Sequence, residues 1–142
     1  MRILMLMLGK TRRPEMRAIL NDYVKRIGHQ TPIEIAEVRD AAAALKKLDA
    51  DRAATVVVLD ARGKAYCSEA FAKWLADHRD RGTRQIVFLC GDANGFPDQV
   101  LARGQTKISL SEMTFSHELA RVMLAEQLYR AFAILSGSPY PR

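Results

Sequence analysis

The chain has 142 residues, 49% of them hydrophobic, with a formal net charge of +6 and a pI of about 9.6. This size fits a single domain over residues 1–142, and this hydrophobic content excludes a disordered chain. The net positive charge favours a polyanionic partner such as nucleic acid without requiring one. No apolar run could span a bilayer, and Cys67 and Cys90 lack metal-site spacing. We therefore predict a cytoplasmic protein with no membrane segment, no metal, and two free, buried thiols.

Strands alternate with helices along the chain, and this order predicts an α/β fold with a mainly parallel sheet flanked by helices. Ligands of such sheets bind beyond the carboxyl ends of the strands, so we expect the loops after Leu59, Cys90 and Leu110 to converge on one site. The predicted strands cover 2–8, 33–38, 55–59, 86–89 and 106–110, and the predicted helices cover 14–27, 40–48, 68–81, 97–103 and 116–135.

The final predicted helix is apolar around most of its circumference, with Arg121 and Arg130 on opposite sides. A helix of this kind is buried on more than one face. One interpretation is a two-fold homodimer with the helix in the interface. The alternative is that the helix is buried within a single chain, and Glu126 and Arg130 then form no more than an i,i+4 ion pair.

Two segments near the predicted strand ends could cradle a small ligand. Gly91-x-x-x-Gly95 lets the backbone approach a ligand closely, although such spacing also occurs in ordinary tight turns. The stretch 111–115 mixes hydroxyls with apolar side chains, which suits a ligand with a flat apolar part and polar edges. The same stretch could instead lead into a helix capped by Ser116. No dinucleotide fingerprint, Walker A sequence or G-x-S-x-G elbow is present.

Basic and aromatic residues mark a possible interface with RNA. Lys10, Arg12 and Arg13 follow the first strand, and they could contact phosphate or simply form a solvated face. The tail residues Tyr140 and Arg142 could stack on a base and hold phosphate, or belong to a frayed terminus.

The motifs resemble those of a known family, over essentially the whole chain. They are Ser111-Glu-Met-Thr-Phe115 with His117, Arg121-Val122, and Glu126-Gln-Leu-Tyr-Arg-Ala131. The chain is similar to the 23S ribosomal RNA (pseudouridine-N(3))-methyltransferases, the RlmH family of the SPOUT class. This resemblance implies a C-terminal trefoil knot, a homodimer and S-adenosylmethionine as the methyl donor. Cofactor contacts are expected from the three strand ends, at Leu59, Gly91, Asp92, Gly95, Leu110, Ser111, Glu112, Met113, Thr114 and Phe115.

The resemblance also implies methylation of N(3) of a pseudouridine in 23S ribosomal RNA, recognised on the assembled ribosome. Catalytic roles are expected for Tyr140, Arg142, His117 and Arg121, and RNA contacts for Lys10, Arg12, Arg13, Tyr140 and Arg142. Three positions depart from the family pattern, with Asp92 in place of glycine, Ser116 in place of proline and Pro141 in place of histidine. The alternatives are a ribosome-binding assembly factor without activity, a methyltransferase for a different RNA site, and a small-ligand regulatory module.

Overall fold

A computed structural model describes residues 1–140, and it contains every predicted strand and helix. Within this part of the chain, no helix is both long enough and apolar enough to cross a membrane. The strands are β1 (Arg2–Leu8), β2 (Ile33–Val38), β3 (Thr55–Ala65), β4 (Gln85–Cys90) and β5 (Thr106–Ser109), and the helices are α1 (Pro14–Ile27), α2 (Ala41–Asp49), α3 (Ser68–Asp80), α4 (Asp98–Leu101) and α5 (His117–Ser136).

The strands form one sheet in the order β2-β1-β4-β3-β5, and every neighbouring pair is parallel. The predicted α/β fold with a parallel sheet is therefore confirmed. One apolar cluster packs α1, α3 and α5 on one face, and a second packs α2 and α4 on the other. Because both faces are covered, β1 and β4 are buried almost throughout, which explains their uninterrupted apolar runs.

Strand β3 continues well beyond its predicted end at Leu59. Both Leu59 and Lys64 pair with Ile108, so the residues between them bulge out of the ladder with β5. A Cβ on Gly63 would lie 2.7 Å from the backbone carbon of Lys107, so only glycine fits this close crossing. The polar residues of 60–64 conceal this extension from a hydrophobic pattern, which is why the prediction stopped at Leu59.

Helix α5 lies between α1 and α3 and is buried by both. Its own chain therefore covers most of the apolar circumference that the sequence analysis noted. Large apolar side chains remain exposed at Met123 and Ile134, with 37% and 38% of their surface accessible. A dimer interface on α5 would therefore use this smaller exposed face, and the homodimer stays a prediction.

The start of α1 depends on a residue from α5. Arg13 precedes the helix and offers no side-chain cap. Instead, the buried carboxylate of Glu118 accepts hydrogen bonds from the backbone N–H groups of Arg12 and Arg13, at 2.9 and 3.0 Å. A negative charge at a helix N-terminus is favourable, so Glu118 acts as a long-range cap.

Removing the charge of Glu118 is expected to destabilise the fold in a pH-dependent way. Burial by itself raises the pKa of Glu118, but the two amide hydrogen bonds, together with the nearby charges of His117 and Arg121, outweigh it and hold the pKa below its usual value. The stabilisation is therefore complete above the unfolded pKa of roughly 4.3 and is lost as the pH falls through the lower folded pKa. We expect Glu118→Gln to lower the free energy of unfolding by about 1–3 kcal/mol at pH 7.

Urea unfolding at pH 7 and pH 3.5 checks this prediction. The difference between wild type and Glu118→Gln should shrink at the lower pH. Glu15→Gln is the matched control, since Glu15 is an exposed glutamate in the first turn of α1. A similar loss of stability in both variants, or a loss that does not change with pH, would contradict the capping role.

Candidate active site

A cavity of about 690 Å³ opens at the carboxyl ends of β3, β4 and β5. Its walls come from the three loops that the sheet rule selected from the sequence. Predicted site residues found in this lining are Leu59, Gly91, Asp92, Gly95, Leu110, Ser111, Met113, Thr114, Phe115 and His117. Glu112 is exposed and is not part of the lining, so its predicted contact is not supported by this geometry. We call this space the donor cavity.

The turn after β4 shows why glycine stands at both Gly91 and Gly95. A Cβ on Gly91 would lie 2.8 Å from the Cα of Gly95, so the two residues pack backbone against backbone. Gly95 has a φ of +75°, in the left-handed region that glycine tolerates best. The spacing therefore closes a tight turn and also leaves bare backbone along the cavity wall, and close approach of a ligand to this backbone stays a prediction.

Asp92, the residue that departs from the family pattern, stabilises this same turn. Its Oδ1 accepts a hydrogen bond from the backbone N–H of Asn94 at 2.8 Å, and its carbonyl accepts one from Gly95 at 3.0 Å. Aspartate commonly forms such Asx turns. The replacement of glycine by Asp92 thus comes with a local hydrogen bond that fixes the loop conformation.

The loop between β5 and α5 is held in shape by serine hydroxyls. Ser109 donates to the carbonyl of Ser111 at 2.9 Å, and the Ser111 hydroxyl accepts from the N–H of Met113 at 3.0 Å. Ser116 then caps α5 by accepting from the N–H of Leu119 at 3.4 Å, as predicted. Met113 lines the open cavity and has 77% of its surface exposed. This side of the cavity is therefore preformed.

The lining of the donor cavity is rich in carboxylates, with Asp60, Asp92 and Asp98 among its residues. Hydrogen bonds from the backbone and side chain of Arg62 hold the pKa of Asp60 below its usual value. Asp60 is therefore ionised at neutral pH and is paired with Arg62, which also lines the cavity, so the acidic character of the lining comes from Asp92 and Asp98. Across residues 1–140, no cluster of three or more His, Cys, Asp or Glu side chains could hold a metal ion.

Tyr140 lies in a different cavity, of about 900 Å³, between α5 and the start of α3. Its hydroxyl lies 3.1 Å from that of Tyr23 and 3.4 Å from Glu126 Oε1, and its ring packs edge-on against Tyr129. The guanidinium of Arg130 sits 5.4 Å from the ring centre. Burial raises the pKa of Tyr140, so its hydroxyl is neutral at physiological pH. We call this space the tail cavity.

Comparison with known proteins identifies the family. The family model that bears the description "Predicted SPOUT methyltransferase" matches residues 1–141 of the chain. Curated relatives named ribosomal RNA large subunit methyltransferase H include one from Geotalea daltonii, 40% identical over 99% of both chains. Another, from Dinoroseobacter shibae, is 38% identical over 100% of this chain and 99% of its own. The chain belongs to the SPOUT methyltransferases, in the ribosomal RNA large subunit methyltransferase H family.

Solved structures agree on the fold. A probable rRNA-methyltransferase from Porphyromonas gingivalis matches with a TM-score of 0.56 at 14% identity, over 94% of this chain and 69% of that one. The SpoU methyltransferase AviRb from Streptomyces viridochromogenes, solved with AdoMet, matches with a TM-score of 0.52 at 11% identity. This match covers 97% of the present chain and 61% of AviRb. These structures agree with the SPOUT class that the family model and the sequence relatives establish.

Cys90, in the wall of this SPOUT site, is not a nucleophile. The thiol is fully buried, and burial raises its pKa to about 12, so it stays protonated at neutral pH. Cys67, by contrast, is exposed, and its sulfur accepts a hydrogen bond from the N–H of Ala70 at the start of α3. The prediction that both thiols are buried was therefore wrong for Cys67.

Arg121 does not occupy the position that a catalytic group would need. Its side chain has 0% exposure and is not part of the donor-cavity lining. Its terminal nitrogens donate to Thr11 Oγ1 at 2.9 Å and to the carbonyl of Leu8 at 2.7 Å. The guanidinium cannot stabilise an anion on a substrate from this position, so we withdraw the direct catalytic role expected for Arg121.

The remaining predicted residues fall into three groups. His117 reaches the donor cavity, where its Nε2 lies 3.9 Å from Glu118 Oε2. Lys10, Arg12 and Arg13 are exposed beside the end of β1. Arg142 and Pro141 lie outside the described residues.

Several residues of both cavities were not among the predicted site residues. Those in the donor cavity lie in the extension of β3, follow β4 or lie in the first turn of α5, so the strand-end rule would have found most of them if applied to longer segments. Those in the tail cavity come from α3, α5 and the segment just before α3, and the motif 126–131, which contains Gln127 and Arg130, gave no sign of a cavity. The donor-cavity residues include Asp60, Ala61, Arg62, Ala93, Asn94, Phe96, Asp98 and Ala120, and the tail-cavity residues include Tyr66, Ser68, Glu69, Met123, Gln127 and Arg130.

Proposed function

We propose that this chain transfers a methyl group from S-adenosylmethionine to N(3) of a pseudouridine in 23S ribosomal RNA of the large subunit. The observation that carries the proposal is the donor cavity, where three loops predicted from sequence meet in one space. Relatives at about 40% identity over their full length carry the name of this rRNA methyltransferase. Ribosomes are cytoplasmic, so we infer the same location for this chain.

The volume and the lining residues of the donor cavity support S-adenosylmethionine as its ligand. Its volume of about 690 Å³ lies in the range of small-molecule sites. Bare backbone at Gly91 and Gly95 allows close approach, and Leu59, Leu110 and Met113 offer apolar surface for an adenine ring. The carboxylates of Asp92 and Asp98 in the lining favour a ligand with positively charged groups.

When bound, S-adenosylmethionine supplies a methyl group that is already electrophilic, so direct transfer needs no metal. The new bond joins that methyl to the ring nitrogen, the sulfur–methyl bond breaks, and the proton on the nitrogen must leave. His117 lies in the cavity and is a candidate to accept or relay that proton. Most of the rate enhancement is then expected from holding the two reactants in line.

We propose that the enzyme acts as a homodimer in which the tail of one protomer serves the donor cavity of its partner. Within one chain, Tyr140 lines the tail cavity, while the donor cavity lies on the other side of Leu110, which lines both. The exposed apolar residues Met123 and Ile134 line the tail cavity too. A second copy seated there would cover this apolar face and bring its own loops next to Tyr140.

We also propose that the chain forms the trefoil knot implied by the family. One feature that supports the knot is the bulge at 60–63, because Leu59 and Lys64 pair with the same residue, Ile108. Helix α5 then returns from the edge strand β5 to lie between α1 and α3. A chain that passes through the arch of β3 would account for both features.

RNA contact is proposed for the exposed residues Lys10, Arg12 and Arg13, together with Tyr140 and Arg142. These cations would contribute phosphate contacts whose strength falls with salt. A chain of 142 residues cannot enclose an RNA helix, so the surface of the ribosome should supply much of the specificity.

Mass spectrometry of large-subunit RNA tests the proposal. RNA from cells that lack this protein should lose one methyl group from a single pseudouridine, and the purified enzyme with S-adenosylmethionine should restore it on ribosomes. Methylation at a different nucleotide would support the alternative RNA target. An unchanged RNA, together with retained ribosome binding, would support the assembly-factor alternative and contradict the proposed activity.

A further inference from the structure

A buried cluster of polar side chains around Arg121 lies beneath two loops that have separate roles in the proposed reaction. Strands β1 and β4 are neighbours, with Met7 opposite Cys90, so they end side by side. From β1 comes the segment 9–13 with its exposed cations, and from β4 comes the turn 91–95 of the donor cavity. Beneath both lies Arg121, the largest fully buried side chain among residues 1–140.

Arg121 holds the first of these loops from inside the protein. It donates to the carbonyl of Leu8 at 2.7 Å and to the hydroxyl of Thr11 at 2.9 Å, and Thr11 is itself only 1% exposed. Glu37 accepts from the N–H of Thr11 and lies 3.9 Å from Arg121. Glu118 accepts hydrogen bonds from the backbone N–H groups of Arg12 and Arg13. Side chains from β2 and α5 therefore hold the segment 9–13 in place.

Arg121 also lies beside the start of the second loop. Leu8, whose carbonyl it binds, is the last residue of β1, and the preceding Met7 pairs with Cys90 at the end of β4, where the donor-cavity turn begins. Its Nε–H is buried without a hydrogen-bond partner among the described residues. Burying a cation in a core is costly, and an apolar side chain of similar size commonly stabilises a fold as well or better. The arginine is therefore better explained by placement of the loops than by stability.

We propose that Arg121 is a positioning residue that sets the basic loop 10–13 relative to the donor-cavity turn, so that RNA held by one meets the methyl donor held by the other. The inference rests on the proposed function, since it assigns RNA to the loop and the donor to the cavity. A small displacement of one reactant relative to the other is enough to lower a transfer rate strongly, even when each still binds.

Single-turnover methylation of ribosomes at saturating S-adenosylmethionine tests this role in Arg121→Met, Arg121→Lys and Thr11→Val. We expect Arg121→Met and Thr11→Val to lower the rate about 10- to 100-fold. Donor affinity by calorimetry and ribosome affinity should each stay within about threefold of wild type, and Arg121→Lys should recover part of the rate. Arg79→Met is the matched control, because Arg79 is an exposed arginine at the far end of the sheet.

The outcomes separate positioning from a purely structural role. If Arg121→Met fails to fold, the isosteric Thr11→Val variant decides the question. A Thr11→Val enzyme that turns over at the wild-type rate would overturn the proposal, as would a loss explained entirely by weaker donor binding. Failure of the proposed function would look different, because wild-type enzyme itself would then transfer no methyl group to the ribosome.

Discussion

Replacing both Tyr140 and Arg142 by alanine is expected to lower methyl transfer by about a hundredfold or more while leaving donor affinity nearly unchanged. Stacking of a base on an aromatic ring contributes about 1–3 kcal/mol, and a guanidinium that holds phosphate adds to this. The contacts of Tyr140 are with Tyr23, Glu126, Tyr129 and Arg130, and none of these lines the donor cavity.

Steady-state kinetics on ribosomes and calorimetry with S-adenosylmethionine measure the two quantities. Arg79→Ala serves as the control for loss of a surface cation, since Arg79 pairs with Asp80 away from both functional cavities. A double variant that still methylates at the full rate would remove the tail from the mechanism. An equally large loss of donor affinity would show that the tail belongs to the donor site instead.

Gly91→Ala is expected to abolish donor binding, or weaken it by at least tenfold, in a protein that still folds. The new Cβ would meet the Cα of Gly95 at 2.8 Å, its carbonyl carbon at 3.1 Å and the backbone nitrogen of Phe96 at 3.2 Å. These are backbone atoms, so they cannot yield by a change of rotamer. The turn must open, and the cavity wall that it forms is displaced with it.

Calorimetry with S-adenosylmethionine checks this result, alongside Gly82→Ala as the matched control. Gly82 has a φ of +83° and open space around its Cα, so alanine there costs about 1–2 kcal/mol of backbone strain without a clash. The control should therefore lose stability and keep its donor affinity. Wild-type affinity in Gly91→Ala would mean that the turn does not contact the donor.

Mixing these two inactive variants shows whether the tail acts across a dimer. A heterodimer of a Gly91→Ala protomer with a tail-substituted protomer has one intact site if each tail serves the partner. Random exchange of protomers makes about half of the dimers heterodimers, each with one intact site out of two. About a quarter of all sites are then active. If the tail serves its own chain, every site in the mixture is defective and activity stays at background.

The strand and helix order was predictable because burial on both faces of a parallel sheet requires continuous apolar runs. The same reasoning placed the loops after Leu59, Cys90 and Leu110 at one edge, and the structure brings them together. Residues 60–65 escaped prediction because their pairing with β5 depends on a distant strand and on the close crossing at Gly63. Neither feature leaves an alternating pattern in the sequence.

The buried charges were the least predictable part of the site. Arg121 looked like a catalytic cation because a sequence does not show which face of α5 packs against the core. Glu118 was missed entirely, although one signal existed. Arg13 is a poor capping residue directly before Pro14, and an uncapped helix start requires an acceptor from elsewhere.

The most direct test of this account is a crystal structure of the enzyme with S-adenosylmethionine bound. The account predicts the donor between the strand ends, with Leu59, the backbone of Gly91 and the loop from Leu110 to Phe115 in contact with it. A donor bound in the tail cavity, or at any place away from these three loops, would contradict the central claim.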